Sequence, residues 1–426
     1  MKNSRIVILS GVQGDTRRYR SHHLYEQLRL AEVDCALSHI TDPRLPELAA
    51  QADGLVLHRV VWDRVAARLV DQVQRRGGRV ILDVDDLVFD EDAFKWIDSP
   101  DFADPVRVRL YRENMRRNRT TLDHCDYVLT STSYLSERVL ERGKPAWVHR
   151  NGFSLEMLNL SDQAAARPRS TGQRVVVGYA SGTPTHDRDF ALVRSALQQL
   201  LEKCAWVELW LIGRLEAGED WGQAAGRVRR IPFVPWRELP ALLAKLDINL
   251  APLRLDNPFS QSKSEIKFME AALVGVPTIA SPTDAFSSAI RSGENGLLAE
   301  SEQEWLDGLL WLAGETAERE KLGAASREDV LRRYAPWVRA EQAAAAIQAA
   351  GLEMNVNFPV NLSTGIDPLA RRDLWMLANA EKHPTIVERG FYSLRTRGLA
   401  ILAKEMWIYL RRLTASIFPF KTRQLE

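Results

Sequence analysis

The chain has 426 residues, 45% of them hydrophobic and 27% charged, with a formal net charge of +1. Its length is sufficient for two domains with separate cores, since a typical domain has about 100 to 200 residues. The near-neutral charge gives no overall field that would attract nucleic acid, so a nucleic-acid-binding protein is not expected.

The N-terminal segment MKNSRIVILSG has a charged start and a four-residue apolar run. That run is too short for the core of a signal peptide and instead predicts a first β-strand. No segment approaches the roughly 20 apolar residues that span a bilayer. The three cysteines, Cys35, Cys125 and Cys204, lack a metal-binding spacing. A cytoplasmic location is therefore expected.

Short apolar runs alternate with helical patterns along most of the chain. The predicted strands cover residues 6–9, 54–57, 80–82, 127–130, 175–179, 207–212, 248–251 and 278–280, and residues 227–231 are strand-like. Strands separated by helices indicate parallel sheets covered on both faces. A polar stretch over residues 161–173 interrupts the alternation. We predict an α/β protein with two Rossmann-like halves and ligands bound between them at the carboxyl ends of the strands.

Three polar clusters follow N-terminal strands. The first is a basic segment from Arg17 to His22, which would either meet a phosphate or solvate a helix end. The second is His58–Arg59, where a lone histidine at a strand end is more often structural. The third is the acidic run from Asp83 to Asp86, which could bind a metal, position a hydroxyl group or cap the next element.

The second half opens with a strand over residues 175–179, followed by Ala180, Ser181, Gly182 and Thr183 and then a helix. Small residues let backbone amides approach phosphate oxygens, and a helix start adds the positive end of its dipole. The loop has only one glycine, so an ordinary strand-to-helix turn, capped by Thr185 or Asp187, explains the pattern equally well.

Residues 257–281, NPFSQSKSEIKFMEAALVGVPTIAS, predict a charged helix leading into a buried strand. Lys263, Lys267 and Glu270 are three or four positions apart and would share one helical face. Gly275 would end the helix. Cations and a carboxylate in this arrangement suit the diphosphate and ribose of a nucleotide, although a solvated face with ion pairs is the alternative.

This segment, with the Gly178–Phe190 segment and Gly293 to Leu298, resembles the donor half of GT-B glycosyltransferases, specifically the retaining enzymes of family 4. The resemblance covers roughly residues 1 to 345. It implies an acceptor domain over residues 1–165, a nucleotide-sugar donor domain over 174–335, a helix crossing back over 336–350 and a helical C-terminal extension over 351–426. It also implies transfer of a sugar from a nucleotide diphosphate sugar, with retention and without a cofactor or metal.

The resemblance assigns roles to individual residues. Lys267, with Lys263 or Arg188, would hold the charge of the departing diphosphate, and Glu270 would hold the ribose. The full expected donor site consists of Gly182, Thr183, His186, Arg188, Val234, Trp236, Asn257, Lys263, Lys267 and Glu270. The expected catalytic residues are Lys267, Glu270, His58 and Asp85, and the expected acceptor side consists of Arg20, His22, Arg59 and Asp86.

One position departs from the family pattern. Many retaining relatives have two glutamates separated by seven residues, of which the second usually contacts ribose and the first the transferred sugar. Glu270 matches the second, whereas the first falls on Ser262. A noncatalytic nucleotide- or glycan-binding module therefore remains an alternative. A nucleotide-sugar epimerase or hydrolase of the same fold is another, and a metal-dependent phosphatase based on Asp83 to Asp86 is the least supported.

The tail from Arg395 to Leu413 places leucine and methionine side chains on one helical stripe and basic residues elsewhere. This pattern is typical of a helix lying on an anionic membrane. Docking on the protein core or on another subunit explains it equally well. The expected partners are therefore a nucleotide sugar, a glycan or lipid-linked acceptor, and possible peripheral membrane contact through residues 395–413.

Overall fold

The computed structural model describes residues 4–167, 174–215, 218, 220–354, 390, 392–394, 399, 402–403 and 406–407. Most of the predicted amphipathic helix over residues 395–413 lies outside this part of the chain. Among the described residues, no helix is long and apolar enough to cross a membrane.

Two six-stranded parallel sheets form the framework, one in the N-terminal half (residues 4–167) and one in the C-terminal half (residues 174–335). The first contains β1 Ile6–Ser10, β2 Cys35–His39, β3 Gly54–His58, β4 Arg79–Val84, β5 Tyr127–Thr130 and β6 Ala146–Val148, in the order β2-β1-β3-β4-β5-β6. The second contains β7 Val175–Ser181, β8 Val207–Gly213, β9 Val228–Ile231, β10 Ile248–Ala251, β11 Thr278–Ala280 and β12 Leu297–Leu298, in the order β12-β11-β10-β7-β8-β9. The predicted α/β architecture is confirmed.

Helices connect the strands and cover both sheets. Those of the N-terminal half are α1 Asp15–Arg17, α2 His23–Leu30, α3 Leu45–Gln51, α4 Arg64–Gln74, α5 Pro105–His124, α6 Ser133–Leu140 and α7 Leu155–Ala165, with a π-helical turn at Arg18–His22. Those that follow are α8 Asp187–Lys203, α9 Leu239–Leu243, α10 Pro258–Gln261, α11 Ile266–Leu273, α12 Asp284–Ala289, α13 Glu302–Gly314, α14 Thr316–Tyr334 and α15 Pro336–Ala349. Short 3-10 segments occupy Glu91–Trp96, Pro100–Ala103, Pro184–His186 and Gly222–Arg227.

The central strands are mostly apolar and buried because both faces of each sheet are covered by helices. β1 is buried at all five positions, and β10 at all four. All the predicted strands are present, whereas β2, β6 and β12 have no counterpart among them. β6 and β12 have only three and two residues, too few to show a pattern.

Helix α15 lies on the N-terminal half although it follows the C-terminal half in sequence. Its alanine-rich face, including Ala340, Ala343 and Ile347, joins the core that contains Leu24 and Leu28 of α2. Small side chains on α15 allow the two helices to pack closely. The chain therefore connects its two halves twice, through residues 149–174 and through α15.

Candidate functional site

A cleft of about 290 Å³ lies between the two halves, at the carboxyl ends of the strands of both sheets. Its N-terminal wall includes Asp15, Thr16, Arg18, Tyr19, Arg59, Asp85, Asp86 and Asn151. Its C-terminal wall includes Gly182, His186, Gly213, Phe233, Val234, Trp236, Lys263, Ser264, Lys267, Glu270 and Phe286. A cleft therefore lies at the place where ligand binding is predicted.

Lys267 and Glu270 project into this cleft from α11. The Lys267 Nζ atom is buried and lies 4.0 Å from the centroid of the Tyr179 ring. Among the described residues it has no hydrogen-bond partner. Burial lowers the Lys267 pKa to about 8, although the Asp189 and Glu270 carboxylates act in the opposite direction. An ammonium group held in this way is available to an anion that enters the cleft.

The local fold of α11 follows from its ends. The helix finishes at Leu273, and Gly275 then adopts a φ of 70°, which a residue without a Cβ accepts at little cost. The chain continues directly into β11. The prediction that Gly275 ends the helix is confirmed.

The prediction that Lys263 shares this helix is wrong. The segment forms two short helices, α10 and α11, and Lys263 lies in the loop between them. Its Nζ atom donates a hydrogen bond of 2.7 Å to Asp86 Oδ2 in the N-terminal half. Lys263 still lines the cleft, but its charge is paired with a carboxylate from the opposite wall.

Ser262, at the position that departs from the family pattern, is completely buried. Its hydroxyl donates to Asp86 Oδ1 at 2.9 Å and to the Phe259 carbonyl at 2.7 Å. Burial raises the Asp86 pKa, but Lys263 and Arg59 outweigh that effect and hold it below its ordinary value. A carboxylate from the N-terminal half is therefore bonded to the side chain that replaces the expected glutamate.

The loop after β7 brings small residues to the cleft, as predicted. Gly182 has open space around it, since a Cβ placed there would have no heavy atom within 4 Å. His186 lines the cleft, and its Nδ1 lies 2.9 Å from Asp189 Oδ2. Thr183 does not line the cleft, and its hydroxyl lies 2.8 Å from that of Thr185. Arg188 also lies outside it and pairs with Asp98 at 2.9 Å.

Arg59, Asp85 and Asp86, predicted for the catalytic and acceptor side, lie together on the N-terminal wall of the cleft. Arg59 has a φ of 49°, an uncommon conformation for a residue with a side chain. Its Nε donates to Asp85 Oδ1 at 2.5 Å. Burial raises the Asp85 pKa, but the Arg59 guanidinium outweighs it, so the carboxylate is ionised at neutral pH. The strained backbone thus places a cation between two carboxylates.

His58 lies beneath this wall and does not line the cleft. It is fully buried, with its Nδ1 3.1 Å from the Ser21 hydroxyl and its Nε2 3.6 Å from Asp85 Oδ1. This geometry lets His58 position Asp85, whereas direct contact with a sugar would require a rearrangement.

Arg20 and His22 do not line the cleft either. Arg20 is buried in an ion pair with Asp83 at 2.5 Å and also donates to the His149 carbonyl at 2.7 Å. Burial lowers the His22 pKa to about 3, so this side chain is neutral. Both residues therefore contribute to the interior of the N-terminal half in this structure.

The neighbouring residues Arg18 and Tyr19 reach the cleft instead, although neither was predicted as a site residue. The Tyr19 hydroxyl donates a short hydrogen bond to Glu270 Oε1, and the Arg18 guanidinium lies 4.5 Å from the centroid of the Trp236 ring. Successive residues of a helix point in different directions, so only some side chains of the segment Arg17 to His22 can face the cleft. Helical periodicity could therefore have indicated that Arg18 and Tyr19 face the cleft if Arg20 and His22 do not.

The loop from Phe233 to Trp236 closes the opposite end of the cleft. Val234 and Trp236 both line it, as predicted, and Phe233 is half exposed. Asn257 lies elsewhere: its Oδ1 accepts from the Phe259 amide at 2.8 Å, and its Nδ2 donates to the Trp96 carbonyl at 3.0 Å. Asn257 therefore caps α10 and connects it with the N-terminal half.

No group of three or more metal-ligating side chains occurs among the described residues. The acidic residues at the end of β4 and directly after it are instead paired with cations. Asp83 pairs with Arg20, Asp85 with Arg59, and Asp86 with both Arg59 and Lys263.

Comparison with known proteins gives one family match and one curated relative. Residues 174–315 match the family model described as glycosyl transferases group 1. The relative is phosphatidyl-myo-inositol mannosyltransferase from Mycobacterium leprae (strain TN), which is 30% identical over 189 residues. Those residues are 43% of this chain and 48% of the relative, so the chain matches about half the length of that protein.

Solved structures with a similar fold include HepE from Anabaena in complex with UDP, with a TM-score of 0.55 and 14% identity over 81% of this chain and 100% of that chain. Sucrose-phosphate synthase from Thermosynechococcus elongatus also has a TM-score of 0.55 and 14% identity, over 82% of this chain and 99% of that chain. At this level of identity the likeness concerns the fold alone.

Proposed function

We propose that the protein is a glycosyltransferase. The premise is that residues 174–315 match the glycosyl transferases group 1 family model and that the chain has the GT-B fold. The protein takes a sugar from a nucleotide diphosphate sugar and transfers it to a hydroxyl group of a glycan or lipid-linked acceptor. The relatives support the substrate class, because HepE was solved with UDP and the curated relative is named a mannosyltransferase.

One observation carries this proposal. The buried Lys267 ammonium group has no hydrogen-bond partner among the described residues, and it lines the cleft between the two halves, where the ligand is predicted to bind. Burying an ammonium group without a hydrogen-bond partner costs free energy. A diphosphate that binds to the ammonium group would offset that cost. Glu270, one helical turn further on, would accept hydrogen bonds from the ribose hydroxyls. The open space at Gly182 would admit a phosphate close to the backbone.

We propose transfer with retention. The bond between the anomeric carbon and the diphosphate oxygen breaks, and a bond from that carbon to the acceptor oxygen forms on the same face. The acceptor proton passes to the departing phosphate oxygen, so no strong protein base is required. Lys267 stabilises the charge on the departing diphosphate, which makes a metal ion unnecessary; unchanged turnover after EDTA treatment is the expected result.

On the opposite wall, Asp85 and Asp86 would accept hydrogen bonds from hydroxyl groups of the sugar or the acceptor. Asp86 is bonded to Ser262, the residue at the departing family position. A carboxylate from the N-terminal half would therefore take the part that a glutamate from the C-terminal half plays in many retaining relatives. His58 would act through Asp85, to which it is adjacent.

We also propose that the tail brings the enzyme to an anionic membrane, where a lipid-linked acceptor of surface polysaccharide or glycoconjugate biosynthesis would be found. The described tail residues Leu399, Met406 and Trp407 expose 76%, 55% and 47% of their surface, and basic residues flank them in sequence. Co-sedimentation with vesicles containing phosphatidylglycerol, but not with phosphatidylcholine vesicles, is expected and should weaken in Trp407→Ala. A salt-independent self-association without vesicle binding would contradict this proposal.

The test of the donor site is a thermal-shift panel of UDP, GDP, ADP, CDP and their common nucleotide sugars. A ligand that binds only the folded protein raises its melting temperature. The shift should disappear in Lys267→Ala and Glu270→Ala, and it should persist in Lys203→Ala, which removes an exposed lysine at the end of α8.

The ligand identified in this way is then used in turnover assays with and without acceptors. No shift with any ligand would contradict the donor site. Release of the nucleotide at the same rate with and without an acceptor would identify a hydrolase instead of a transferase.

A further inference from the structure

Two neighbouring side chains of the N-terminal half line the cleft beside Glu270, to which the ribose is assigned above, and beside Trp236. The Tyr19 hydroxyl is hydrogen-bonded to Glu270 Oε1, the carboxylate proposed to hold ribose. The Arg18 guanidinium lies against the indole of Trp236, 4.5 Å from its centroid, at the end of the cleft lined by Phe233 and Val234. Both side chains are buried, with exposures of 6% each.

These contacts reproduce the chemistry of a nucleoside. A planar, delocalised guanidinium stacked on an aromatic ring takes the place of a nucleobase, which stacks on such rings in the same way. A hydroxyl donating to a carboxylate takes the place of a ribose hydroxyl. Arg18 therefore takes the place of the base against Trp236, and the Tyr19 hydroxyl takes the place of a ribose hydroxyl at Glu270.

The remaining space is small for the proposed ligand. The cleft of about 290 Å³ is bounded by Arg18 and Tyr19 themselves. Pockets for drug-sized ligands are usually about 300–1,000 Å³, and a nucleotide sugar is at the larger end of that class. While both side chains remain, they compete with a nucleoside for Glu270 and Trp236.

Local contacts hold the pair in place. Arg18 donates to Asp15 Oδ1 through Nε at 3.2 Å and Nη2 at 3.1 Å, and the Tyr19 ring meets the His23 ring edge-on with centroids 5.2 Å apart. The pair begins the π-helical turn Arg18–His22. Single π-helical turns are rare and often occur at functional sites.

We propose that Arg18 and Tyr19 act as an internal substitute for the nucleoside, closing the donor site when it is empty and leaving it when the donor binds. This inference rests on the proposed function, because it assigns the ribose to Glu270. Its consequence is quantitative: the apparent affinity for the donor is reduced by the fraction of molecules in which the pair has left the site. Removing the Tyr19 hydroxyl should therefore strengthen donor binding.

The test measures dissociation constants by isothermal titration calorimetry for UDP, GDP and ADP, and for the 2′,3′-dideoxy form of whichever binds most tightly. The proteins are wild type, Tyr19→Phe, Arg18→Ala and Tyr127→Phe, the last being a half-buried tyrosine on β5 outside the cleft. We expect Tyr19→Phe to bind the ribose nucleotide about tenfold more tightly, the size of one hydrogen bond to a charged group. The dideoxy form should bind more weakly to each protein but gain by a similar factor in Tyr19→Phe, because the pair must leave before either nucleotide binds. Tyr127→Phe should match wild type.

A double variant shows whether the effect runs through the proposed contact. In a Glu270→Ala background, Tyr19→Phe should change the affinity no further, because the carboxylate that the hydroxyl covers is gone. Tighter binding in Arg18→Ala would support the same role for the guanidinium.

Weaker binding in Tyr19→Phe would overturn the inference, since it would mean that the hydroxyl contacts the ligand. Equal binding by wild type and Tyr19→Phe would overturn it too, while leaving the donor site intact. An absence of binding by every variant to every nucleotide would overturn the proposed function and this inference together.

Discussion

Lys263 and Lys267 are four positions apart in sequence, yet their ammonium groups have opposite surroundings. Lys263 is paired with Asp86 at 2.7 Å, whereas Lys267 has no hydrogen-bond partner among the described residues. The charge of Lys263 is already neutralised by a fixed carboxylate. Lys267 should therefore bind an incoming anion more strongly than Lys263 does. At the residue scale, Lys263 connects the two halves, and Lys267 is the proposed contact for the donor.

Lys267→Ala should lower turnover by about a hundred- to a thousandfold, the usual loss when one preorganised charge-stabilising group is removed. Its melting temperature should change little, because the attraction of the Tyr179 ring is opposed by the cost of desolvating an ammonium group that has no hydrogen bond among the described residues. Lys203→Ala is the matched control and should retain wild-type turnover. Steady-state kinetics and calorimetry measure the two quantities; near wild-type turnover in Lys267→Ala would remove this assignment.

Donor binding should weaken at alkaline pH. Burial lowers the Lys267 pKa to about 8, and only the protonated ammonium group attracts the diphosphate. Affinity should be constant below about pH 7 and fall by up to tenfold per unit above pH 8, measured by titration with an intact nucleotide sugar. Lys267→Arg should lose this inflection, since a guanidinium stays protonated throughout. An inflection that persists in Lys267→Arg would assign the titration to another group.

At the element scale, two turns determine the shape of the donor half. The turn after α11 passes so close to α14 that a Cβ at Gly323 would lie 2.2 Å from the Gly275 carbonyl oxygen. The loop after β7 has the opposite property, because nothing approaches Gly182. The first glycine is required by protein packing, and the second is available to a ligand.

Gly323→Ala should destabilise the protein by about 1–3 kcal/mol, because overpacking against backbone outweighs the better helix propensity of alanine. Gly314, at the end of α13, is the matched control: a Cβ there would have no heavy atom within 4 Å. Gly314→Ala should gain about 0.5 kcal/mol. Thermal unfolding measures both changes, and a stabilised Gly323→Ala would contradict the packing argument.

Gly182→Ala should leave the melting temperature of the empty protein unchanged but weaken nucleotide binding by about tenfold, since a methyl group would occupy the space proposed for a phosphate. Gly226→Ala, another position with nothing within 4 Å, is the control outside the cleft. Calorimetric titration with the nucleotide found in the thermal-shift panel measures the effect. Unchanged affinity in Gly182→Ala would place the phosphates elsewhere.

At the scale of the whole molecule, side chains from both halves are bonded across the cleft. Asp86 bonds to Ser262 and Lys263, Asn151 donates to Ser264 at 2.8 Å, and Asp98 pairs with Arg188. These contacts differ in burial. Asp86 is 12% exposed at its side chain, whereas Arg188 is 69% exposed. Buried bridges should therefore contribute more to the closed arrangement than the surface pair.

Asp86→Ala should lower stability by roughly 3 kcal/mol, because it leaves Lys263 without its carboxylate partner, whereas Arg59 keeps its bond to Asp85. Asp98→Ala, which breaks the exposed pair, should cost less than about 1 kcal/mol. The Asp86 pKa is lower in the folded protein than its ordinary value. Its contribution is therefore complete above the unfolded pKa near 4 and is lost as pH falls through the folded value.

Calorimetry of both variants at pH 7 and at pH 3 tests this ranking. The difference in the free energy of unfolding between wild type and Asp86→Ala should be smaller at pH 3 than at pH 7. Equal effects of the Asp86 and Asp98 substitutions at pH 7 would contradict the argument from burial.

The sequence by itself determined the α/β class, most strands and the segment that carries Lys267 and Glu270. Apolar runs and glycine positions can be read from the local sequence. In a parallel sheet that is buried on both faces, the strands are such apolar runs and are therefore predicted directly. The helix ending at Gly275 is such a case, since the turn needs a residue that accepts positive φ. Strands as short as β12 carry too few residues for any pattern.

Only the tertiary structure decided which polar side chains meet in the cleft. Arg20 and His22 turn into the interior while Arg18 and Tyr19, in the same segment, reach Trp236 and Glu270. Residues more than 150 positions apart in sequence form these contacts. Their geometry depends on how two separately folded sheets face each other, and no local pattern encodes that arrangement.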